Sequence, residues 1–299
     1  MTTFLIITSK EDIASINIRK NLLNSEDYQF TETEKAWHNY PIYELENIIE
    51  QDTEFLEETK VQLGLTDTPL ILLDNLELEK SDIDPDILIF ASRHRSKSGK
   101  PAFLAHTTGN WTEEAEYGGK GKRISFTSAL LSKAGYLALI QRSRKSKFKK
   151  FSVDLEVTHH GPTELKKPLI FMELGSSEAQ WTIEGAGRVV ADAIIEAILK
   201  YSDFQENSIK VGIGFGGTHY APQFKKRIKK DDIAFSFICP KYYLEDLNRD
   251  LIDQMIAHNK EKVDFFGIDW SGTTSDDKSH LVPLLEDFDI PIRKTKDLK

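Results

Sequence analysis

Short apolar runs that alternate with helical patterns are the feature of this chain that most restricts its fold. Residues 3–8 are typical of a first strand, and a helix is expected from Ser9 to about Asn24. Apolar strands separated by helices are typical of an α/β protein in which helices cover both faces of a sheet. We therefore predict a three-layer α/β fold around a mostly parallel or mixed sheet. Further strands are predicted at 70–73, 87–90, 102–105, 169–172, 210–213, 233–238 and 263–268, and further helices at 128–143, 177–200, 244–258 and 279–287.

The length and composition describe one soluble domain. The chain has 299 residues, of which 39% are hydrophobic and 29% are charged. No apolar run approaches the roughly 18 residues that a membrane span requires. No repeat or low-complexity linker divides the sequence, so we predict a single α/β domain over residues 1–299, with an edge hairpin or an insertion near 26–58. The single cysteine, Cys239, excludes an internal disulfide and favours a cytoplasmic protein.

Basic residues are concentrated in two segments of an otherwise acidic chain. The formal net charge is −9, yet residues 142–150 carry six cations and no acid, and residues 225–230 carry five. Such segregation creates a local positive field, which is what a phosphate backbone responds to. A solvated helix end would explain one such segment. Two segments favour the binding of a polyanion.

Five of the eight histidines lie in segments rich in glycine, small hydroxyl residues and carboxylates. Each of these segments follows or ends a predicted strand. Imidazoles beside glycine backbone are what a metal site or an acid–base site requires, whereas a packed core does not require them. We therefore predict such a site from His94, His106, His159, His160 and His219.

The segment 151–158 alternates strictly between apolar and polar residues, as a strand with one exposed face does. Two carboxylates, one of them Glu156, lie on its polar face, and His159 and His160 follow directly. Since adjacent residues of an extended chain point in opposite directions, we expect only one of the two imidazoles to serve the site. We prefer His159, because a Gly-Pro pair turns the chain after His160. The alternative is an exposed strand that ends in an exposed histidine pair.

Charged side chains follow several predicted strands at the same end. His94, His106, Glu173 and His219 each come after a predicted strand. Provided that these strands are parallel, their carboxyl ends lie at one edge of the sheet, where ligands bind in α/β proteins. The sequence therefore predicts that the four side chains meet in one pocket.

Neutral hydrogen-bonding groups accompany these charged residues. Thr108 and Asn110 lie in a turn after a predicted strand and could position a carbonyl or a ribose hydroxyl. Gly175 and Ser176 immediately precede the long predicted helix, so that backbone amides at the helix start could bind an oxyanion. A simpler alternative is that a serine here only caps the helix.

Five short motifs follow one another in order along the chain. They are residues 92–96 (SRHRS), 106–110 (HTTGN), 156–162 (EVTHHGP), 173–181 (ELGSSEAQW) and 214–222 (GFGGTHYAP). Taken together they resemble the archaeal and plant type of D-aminoacyl-tRNA deacylase. The resemblance implies hydrolysis of the ester that joins a D-amino acid to the terminal ribose of tRNA, in translation quality control. It also implies zinc dependence with two ions per subunit, a monomer of archaeal origin, and a fold like those of nucleoside phosphorylases and peptidyl-tRNA hydrolases.

The resemblance, joined to the residue pattern, gives each candidate residue a role. Zinc suits the hydrolysis of an activated ester because it lowers the pKa of water to about 7. We assign metal binding to His106, His159, His219 and Glu156, with Glu173 as the alternative carboxylate. We assign catalysis to His94 (a further ligand or a proton shuttle), His160, Glu173, Thr108, Asn110, and the oxyanion donors Gly175 and Ser176. We assign tRNA binding to Arg93, Arg142, Arg144, Lys145, Lys149, Lys225 and Lys226.

Two other functions are compatible with the same residues. A peptidyl-tRNA hydrolase or a zinc peptidase could use a similar sheet and similar ligands. A non-catalytic tRNA-binding protein would keep the basic segments and use the histidines only for structure. The ordered motifs and the segregation of charge favour the deacylase over both.

Overall fold

The computed structural model describes residues 1–49, 54–230 and 232–298, and its strands form three sheets. The described strands are β1 (Thr2–Ser9), β2 (Tyr28–Trp37), β3 (Tyr40–Ile48), β4 (Thr59–Thr66), β5 (Ile87–Arg95), β6 (Ala102–His106), β7 (Gly109–Asn110), β8 (Arg123–Ile124), β9 (Ser152–Leu155), β10 (Leu169–Ser176), β11 (Lys210–Phe215), β12 (Ile233–Cys239), β13 (Phe265–Ile268) and β14 (Ile292–Lys294). The described helices are α1 (Ile13–Leu23), α2 (Glu54–Glu58), α3 (Ala129–Lys145), α4 (Glu178–Trp181), α5 (Glu184–Gln205), α6 (Pro222–Lys230), α7 (Arg249–Ala257) and α8 (Ser275–Glu286).

Eight strands form the large sheet, in the order β2-β3-β4-β1-β5-β10-β6-β9. Its centre is parallel, because β4, β1, β5 and β10 run in one direction. Next to them β6 runs antiparallel to β10, and β9 pairs in parallel with β6. The small sheet has the order β12-β11-β13-β14 and is parallel throughout. The predicted α/β class with a mostly parallel, mixed sheet is confirmed.

Helices cover the two sheets differently. On the large sheet, α1, α3 and α5 pack on one another over a single face and share one buried apolar cluster with it. The opposite face is covered by loops, from which Leu70, Leu73 and Leu165 pack on Phe90 and Phe171 of the sheet. Helices on both faces, as predicted, are found on the small sheet, where α6 lies on one face and α7 and α8 on the other. The large sheet therefore has one face that is covered by helices and one that is covered by loops.

Side-chain caps fix where helices begin. The Asp12 carboxylate accepts a hydrogen bond from the backbone N–H of Ser15 at 3.0 Å, so α1 begins after Asp12 and not at the predicted Ser9. At α8, Thr274 and Asp277 form a reciprocal capping box, which starts that helix earlier than the apolar pattern indicates. In both cases a polar residue sets the boundary and the apolar periodicity does not.

The long helix predicted at 177–200 is two helices. The structure interrupts it at residues 182–183, between α4 and α5. The side-chain amide of Asn17 donates hydrogen bonds to the carbonyl oxygens of Trp181 (2.8 Å) and Ile183 (2.9 Å), which satisfies acceptors that a continuous helix would use. The amide comes from α1, 164 residues earlier than Trp181, so no local pattern could reveal the break.

Two other predicted segments have local explanations. The run at 70–73, predicted as a strand, contains a 3₁₀ turn, because Leu70 and Leu73 are buried beneath the large sheet without pairing with a strand. The edge segment near 26–58 is a hairpin of β2 and β3, closed by His38 and Asn39, both with positive φ. Residues 50–53 of that segment lie outside the described residues. Within the described ranges, no helix is long and apolar enough to cross a membrane.

Candidate metal centre

Pairing among β5, β10 and β6 places three titratable side chains on one face of the large sheet. On β10, Glu173 lies two residues from Gly175, whose partner on β5 is His94. It also lies two residues from Phe171, whose partner on β6 is His106. Since residues two apart on a strand share a face, His94, His106 and Glu173 all project from the loop-covered face.

The prediction that these side chains meet at the carboxyl ends of parallel strands is wrong for His106. Because β6 runs against β10, His106 approaches Glu173 from the opposite direction. A shared face of the sheet, and not a shared end of its strands, brings the residues together.

A short crossing segment, residues 156–158, brings Glu156 to the same face. Its three consecutive backbone N–H groups donate to the carbonyl oxygens of Ala105 (3.0 Å), His219 (2.9 Å) and Ile238 (3.0 Å). The segment therefore connects β6 of the large sheet with β12 of the small sheet and with the loop after β11. Glu156 is buried as a result, beside His219.

Imidazoles and carboxylates alternate through the centre. The Nδ1 atom of His94 lies 3.5 Å from Oε2 of Glu156 and 3.5 Å from Oε2 of Glu173. On one side, Oε1 of Glu156 is 2.8 Å from Nε2 of His219. On the other side, Oε2 of Glu173 is 3.6 Å from Nε2 of His106. The five side chains thus form one continuous row between the two sheets.

Three rings face one another at one end of this row: His106, His159 and His160, which we call the histidine triad. Their centroids are 4.3, 4.5 and 4.8 Å apart. Each Nδ1 lies 2.6 to 3.1 Å from a backbone carbonyl oxygen. A carbonyl accepts hydrogen bonds and cannot donate them, so in the neutral ring Nδ1 carries the proton and Nε2 keeps its lone pair. Metal-binding imidazoles are oriented in this way.

Both adjacent histidines contribute to the triad, so the expectation that their rings point in opposite directions is wrong. The φ angle of His160 is 45°, in the left-handed region. The chain is therefore not extended there, and the ring of His160 does not point away from that of His159. The Gly-Pro pair predicts a turn after His160 but does not reveal that His160 itself adopts the unusual conformation.

Among the residues that the structure describes, three sets of side chains have ligand atoms close enough to hold a metal ion, within 4.8 Å of one another. Nitrogen and oxygen donors of this kind suit zinc and other first-row transition metals. The first set is the histidine triad, and the second is His94, Glu156 and Glu173, which we call the carboxylate triad. The third set, Glu156, His159 and His219, overlaps both of the others.

Unpaired polar atoms are concentrated at the same place. Within the part of the chain that the structure describes, His94 Nε2, His106 Nε2 and Glu156 Oε2 are buried without a hydrogen-bond partner. Leaving such an atom unpaired costs about 1–3 kcal/mol. Three of them in one cluster fit residues that coordinate an ion.

Comparisons with known proteins show the family of this chain. A sequence model described as D-aminoacyl-tRNA deacylase matches residues 81–293, which is more than half of the chain. This chain belongs to the D-aminoacyl-tRNA deacylase family. The family prediction made from the five motifs is confirmed.

Relatives in the deacylase family match over nearly the full length. The D-aminoacyl-tRNA deacylase of Thermococcus onnurineus is 36% identical over 287 residues, covering 95% of this chain and 97% of the relative. That of Pyrococcus abyssi is 36% identical over 293 residues, covering 97% and 99%. A crystal structure of a conserved protein of unknown function is 29% identical, covers 100% of this chain and 97% of its own, and superposes with a TM-score of 0.81.

The charge state of each group in the centre depends on its neighbours. Burial alone would lower the pKa of His94, but hydrogen bonds to Glu156 and Glu173 raise it to about 10. Burial lowers the pKa of His160 to about 4, and the charge of His106 adds to the effect. Burial would raise the pKa of Glu173, but His106 and His94 hold it at about 2.

The pKa values of His106, His159 and Glu156 also depend on burial and on neighbouring charges. Burial opposes the charged form of His106, yet the Glu173 carboxylate 3.6 Å from its Nε2 raises its pKa. Burial and the charge of His106 lower the pKa of His159 well below its ordinary value. Glu156 has its pKa lowered despite burial, because His219 donates a hydrogen bond to it and the His94 imidazole lies 3.5 Å away. The two carboxylates are therefore ionised, His94 is protonated at neutral pH, and His159 and His160 are neutral.

Thr108 and Asn110, which we assigned to the catalytic set, are occupied by contacts within the chain. The Thr108 hydroxyl lies 2.8 Å from that of Ser125 and donates to the carbonyl oxygen of Pro162 at 2.7 Å. The Asn110 amide donates to the carbonyl oxygens of Gly118 (2.9 Å) and Lys120 (3.1 Å). Both side chains thus fix the loops around the histidine triad.

The backbone amides expected to bind an oxyanion are also used within the chain. The N–H groups of Ser176 and Ser177 both donate to Oε1 of Gln180, at 3.2 and 3.0 Å, in the capping box of α4. The simpler capping alternative is what the structure contains. Packing explains the glycine at position 175, because a Cβ added there would lie 2.8 Å from the His94 side chain.

The basic residues predicted to bind tRNA fall into two groups. Arg144, Lys145, Lys149 and Lys226 are exposed. The others have partners in the chain: Arg142 pairs with Glu196 at 2.7 Å, Lys225 pairs with Asp154, and Arg93 donates to the carbonyl oxygen of Glu11 at 3.1 Å. In the first group, the Lys149 side chain donates to the carbonyl oxygen of Arg144.

The two basic segments adjoin each other in space. Burial lowers the pKa of Lys229 on α6, and the charges of Lys225 and of Arg144 at the end of α3 add to that effect. Lys225 also pairs with Asp154 of β9, two residues before Glu156. The basic surface therefore contacts β9, the strand that leads to Glu156.

Two supporting residues were missed by the sequence reasoning. The buried Asp12 carboxylate accepts hydrogen bonds from the backbone N–H of Arg93 (2.9 Å) and from the hydroxyl of Ser92 (3.2 Å). Both residues lead directly into His94. The indole N–H of Trp181 donates to the carbonyl oxygen of His94 at 3.1 Å. Trp181 was visible only as part of a motif, and Asp12 only as an acid after the first strand.

Proposed function

We propose that this chain hydrolyses the ester between a D-amino acid and the terminal ribose of tRNA, releasing free tRNA and the D-amino acid. The observation that carries the proposal is a buried row of imidazoles and carboxylates beside a basic surface, in a chain of the deacylase family. The reaction would remove D-amino acids from tRNA in translation quality control. A cytoplasmic monomer of archaeal origin belongs to the same proposal, and the single buried Cys239 is compatible with a reducing compartment.

Zinc is the metal that we assign to the centre, with one ion in the histidine triad and one in the carboxylate triad. These two sets share no residue, so both can be filled at once. The carbonyl-bound Nδ1 atoms and the unpaired buried atoms support the assignment. Zinc, when bound, supplies a Lewis acid and lowers the pKa of water to about 7. In this proposal His160 replaces His219 among the ligands.

The charges of the metal-free centre favour the exchange of protons for a divalent cation. His94 carries a proton at neutral pH, and the raised pKa of His106 favours a proton on that ring as well. Ligand histidines must give up these protons when they bind a metal. Exchange of these two imidazole protons for a first divalent cation leaves the net charge of the buried centre unchanged, whereas a second ion adds two positive charges beside the ionised carboxylates.

His219 is the residue best placed to transfer protons. Its side chain is 38% exposed, compared with 9% for His94 and 0% for His106, and its Nε2 is held 2.8 Å from Glu156. Hydrolysis breaks the bond between the acyl carbon and the ribose oxygen. A proton must leave the attacking water, and a proton must reach the departing oxygen. An imidazole held by a carboxylate at the solvent boundary can perform both transfers.

The exposed basic residues would hold the acceptor stem of the tRNA. Arg144, Lys145, Lys149 and Lys226 are exposed and lie on adjoining segments. Each such cation raises the affinity of the protein for a phosphate backbone, because binding releases counterions from the nucleic acid. We assign smaller roles to Arg142, Lys225 and Arg93, because they are already paired within the chain.

Turnover of matched aminoacyl-tRNA enantiomers tests the proposed function. Purified protein is incubated with D-tyrosyl-tRNA, L-tyrosyl-tRNA and an N-blocked peptidyl-tRNA, with and without a chelator. We expect only the D-tyrosyl ester to be hydrolysed, chelation to abolish the activity, and added zinc to restore it. Equal hydrolysis of both enantiomers would leave a general esterase, and preference for the blocked substrate would support the peptidyl-tRNA hydrolase instead.

A further inference from the structure

Exposed aromatic side chains are concentrated at the carboxyl edge of the small sheet. Tyr220 follows β11, Tyr242 and Tyr243 follow β12, and Trp270 follows β13. These four residues, which we call the aromatic edge, are between 36% and 51% exposed. Because the three strands are adjacent and parallel, the segments after them lie at one edge of the sheet. Among the described residues, the remaining large aromatic side chain with comparable exposure is Tyr117.

The aromatic edge is continuous with the metal centre. The Tyr242 hydroxyl accepts a hydrogen bond from the backbone N–H of His219 at 2.6 Å. The ring of Tyr220 lies 5.2 Å from the ring of His219, and the ring of Tyr243 lies 6.1 Å from that of Tyr242. His219 in turn contacts Glu156. A molecule that reacts at the centre therefore has aromatic rings immediately beside it.

Cations lie over the rings of this edge. Lys225 Nζ is 6.0 Å from the centroid of the Tyr220 ring. Lys278 and Lys294 lie 4.8 and 4.4 Å from the Trp270 ring. Aromatic rings interleaved with cations are typical of sites for single-stranded nucleic acid, because bases stack on the rings while phosphates meet the cations.

We propose that the aromatic edge stacks the unpaired bases at the 3′ end of tRNA and thereby holds the ester at the metal centre. This inference rests on the proposed function. The ester oxygen belongs to the last ribose, so the bases nearest to it are the part of the tRNA that lies beside His219. The double-stranded stem lies further away and meets the basic segments. Tyr243, whose contact with the centre runs through Tyr242, is a positioning residue.

Replacement of Tyr243 separates stacking from chemistry. Loss of one base–aromatic stack costs ~1–3 kcal/mol, so Tyr243→Ala should raise KM for D-tyrosyl-tRNA by about tenfold and leave kcat near its original value. Tyr243→Phe keeps the ring and should restore KM. Tyr40→Ala, in the β2–β3 hairpin, removes a tyrosine far along the large sheet from this edge and is the matched control. A wild-type KM in Tyr243→Ala, or equal damage from Phe and Ala, would overturn the proposal.

A binding measurement gives a readout that does not depend on turnover. The probe is an RNA hairpin whose last unpaired base is 2-aminopurine, which loses fluorescence when it stacks. Wild-type protein should quench the probe, and Tyr243→Ala should weaken the quenching. If circular dichroism shows that Tyr243→Ala is unfolded, Tyr220→Leu and Tyr220→Phe provide the same pair. Absence of quenching by the wild type would overturn the inference, whereas wild-type protein that fails to hydrolyse D-tyrosyl-tRNA would instead overturn the proposed function.

Discussion

The histidine triad and the carboxylate triad are both buried, yet His160 of the first and His94 of the second have pKa values shifted in opposite directions. The pKa of His160 is lowered to about 4, whereas that of His94 is raised to about 10. His160 is surrounded by other imidazoles and a carbonyl oxygen, and His94 lies between two carboxylates. Neighbouring charge therefore decides the protonation state where burial alone does not. His159 and His160 are ready to bind a metal, whereas His94 and His106, which face carboxylates, favour a proton that a metal must replace.

Replacement of Glu173 by Gln should have the largest effect, because this carboxylate touches imidazoles of both triads. Removing one partner of a buried ion pair costs about 3–5 kcal/mol. We expect the unfolding free energy of the metal-free protein to fall by this amount, measured by urea denaturation in a chelator. The pKa of His94 should also fall, measured by NMR titration.

Glu44→Gln is the matched control for that substitution. Glu44 pairs with Lys60 at 2.8 Å near the surface, so its loss should cost less than about 1 kcal/mol. Equal loss of unfolding free energy in the two variants would mean that the Glu173 carboxylate stabilises the protein no more than a carboxylate near the surface does.

Loss of one ring of the histidine triad should affect metal content next. His160→Asn removes an Nε2 donor, and we expect the zinc content to fall by about one ion per chain. Turnover should fall by at least ~100-fold, since loss of an outer-shell partner alone costs up to that factor. His280→Asn is the control. The Nε2 atom of His280, on α8, lies 3.0 Å from the carbonyl oxygen of Leu247, and His280 belongs to neither triad. Full zinc content in His160→Asn would remove this residue from the ligand set.

The pH dependence of stability should distinguish the triads in the metal-free protein. The pKa of His160 is about 4 when folded and ordinarily 6.5, so the unfolded chain binds more protons in between and stability rises with pH from about 4 to 6.5. For His94 the folded value is about 10, so its contribution is complete below 6.5 and is lost as pH rises from 6.5 to 10. His160→Asn should flatten the acid limb, and His94→Asn the alkaline limb, of urea stability measured against pH. Flattening of the same limb by both variants would contradict the assignment.

Single substitutions on the basic surface should have the smallest effect and should leave both triads unchanged. Each lysine that meets a phosphate contributes about one unit to the slope of log KM against log salt concentration. Lys145→Ala and Lys226→Ala should each reduce that slope by about one without changing zinc content. Lys10→Ala, at the end of β1 on the large sheet, is the control. An unchanged salt slope in both test variants would place the tRNA on another surface.

The sequence predicts features that depend on neighbouring residues. The apolar runs gave most of the strands, and the clustering of histidines with glycine and carboxylates identified the segments that form the centre. Five of the predicted side chains, from His94 to His219, do form one row. These signals are local, because the residue pattern of a short segment is enough to indicate buried faces and turns.

Features that depend on distant residues could not be predicted in the same way. The direction of β6 is set by pairing with β10, and it changes how His106 reaches Glu173. The break between α4 and α5 is stabilised by Asn17 from another helix. The amides that looked free before α4 are taken by Gln180. In each case a hydrogen bond or strand pair decides the outcome, and its partner is not specified by the apolar pattern.

The crossing segment has a consequence for how much length the chain tolerates between its sheets. Alternate side chains on extended backbone face opposite ways, so one extra residue ahead of Glu156 would rotate an aliphatic group into the place of its carboxylate. The hairpin at the far edge of the large sheet can lengthen without such a penalty. The number of residues that lead into the crossing segment therefore matters as much for forming the reaction centre as the identity of any ligand.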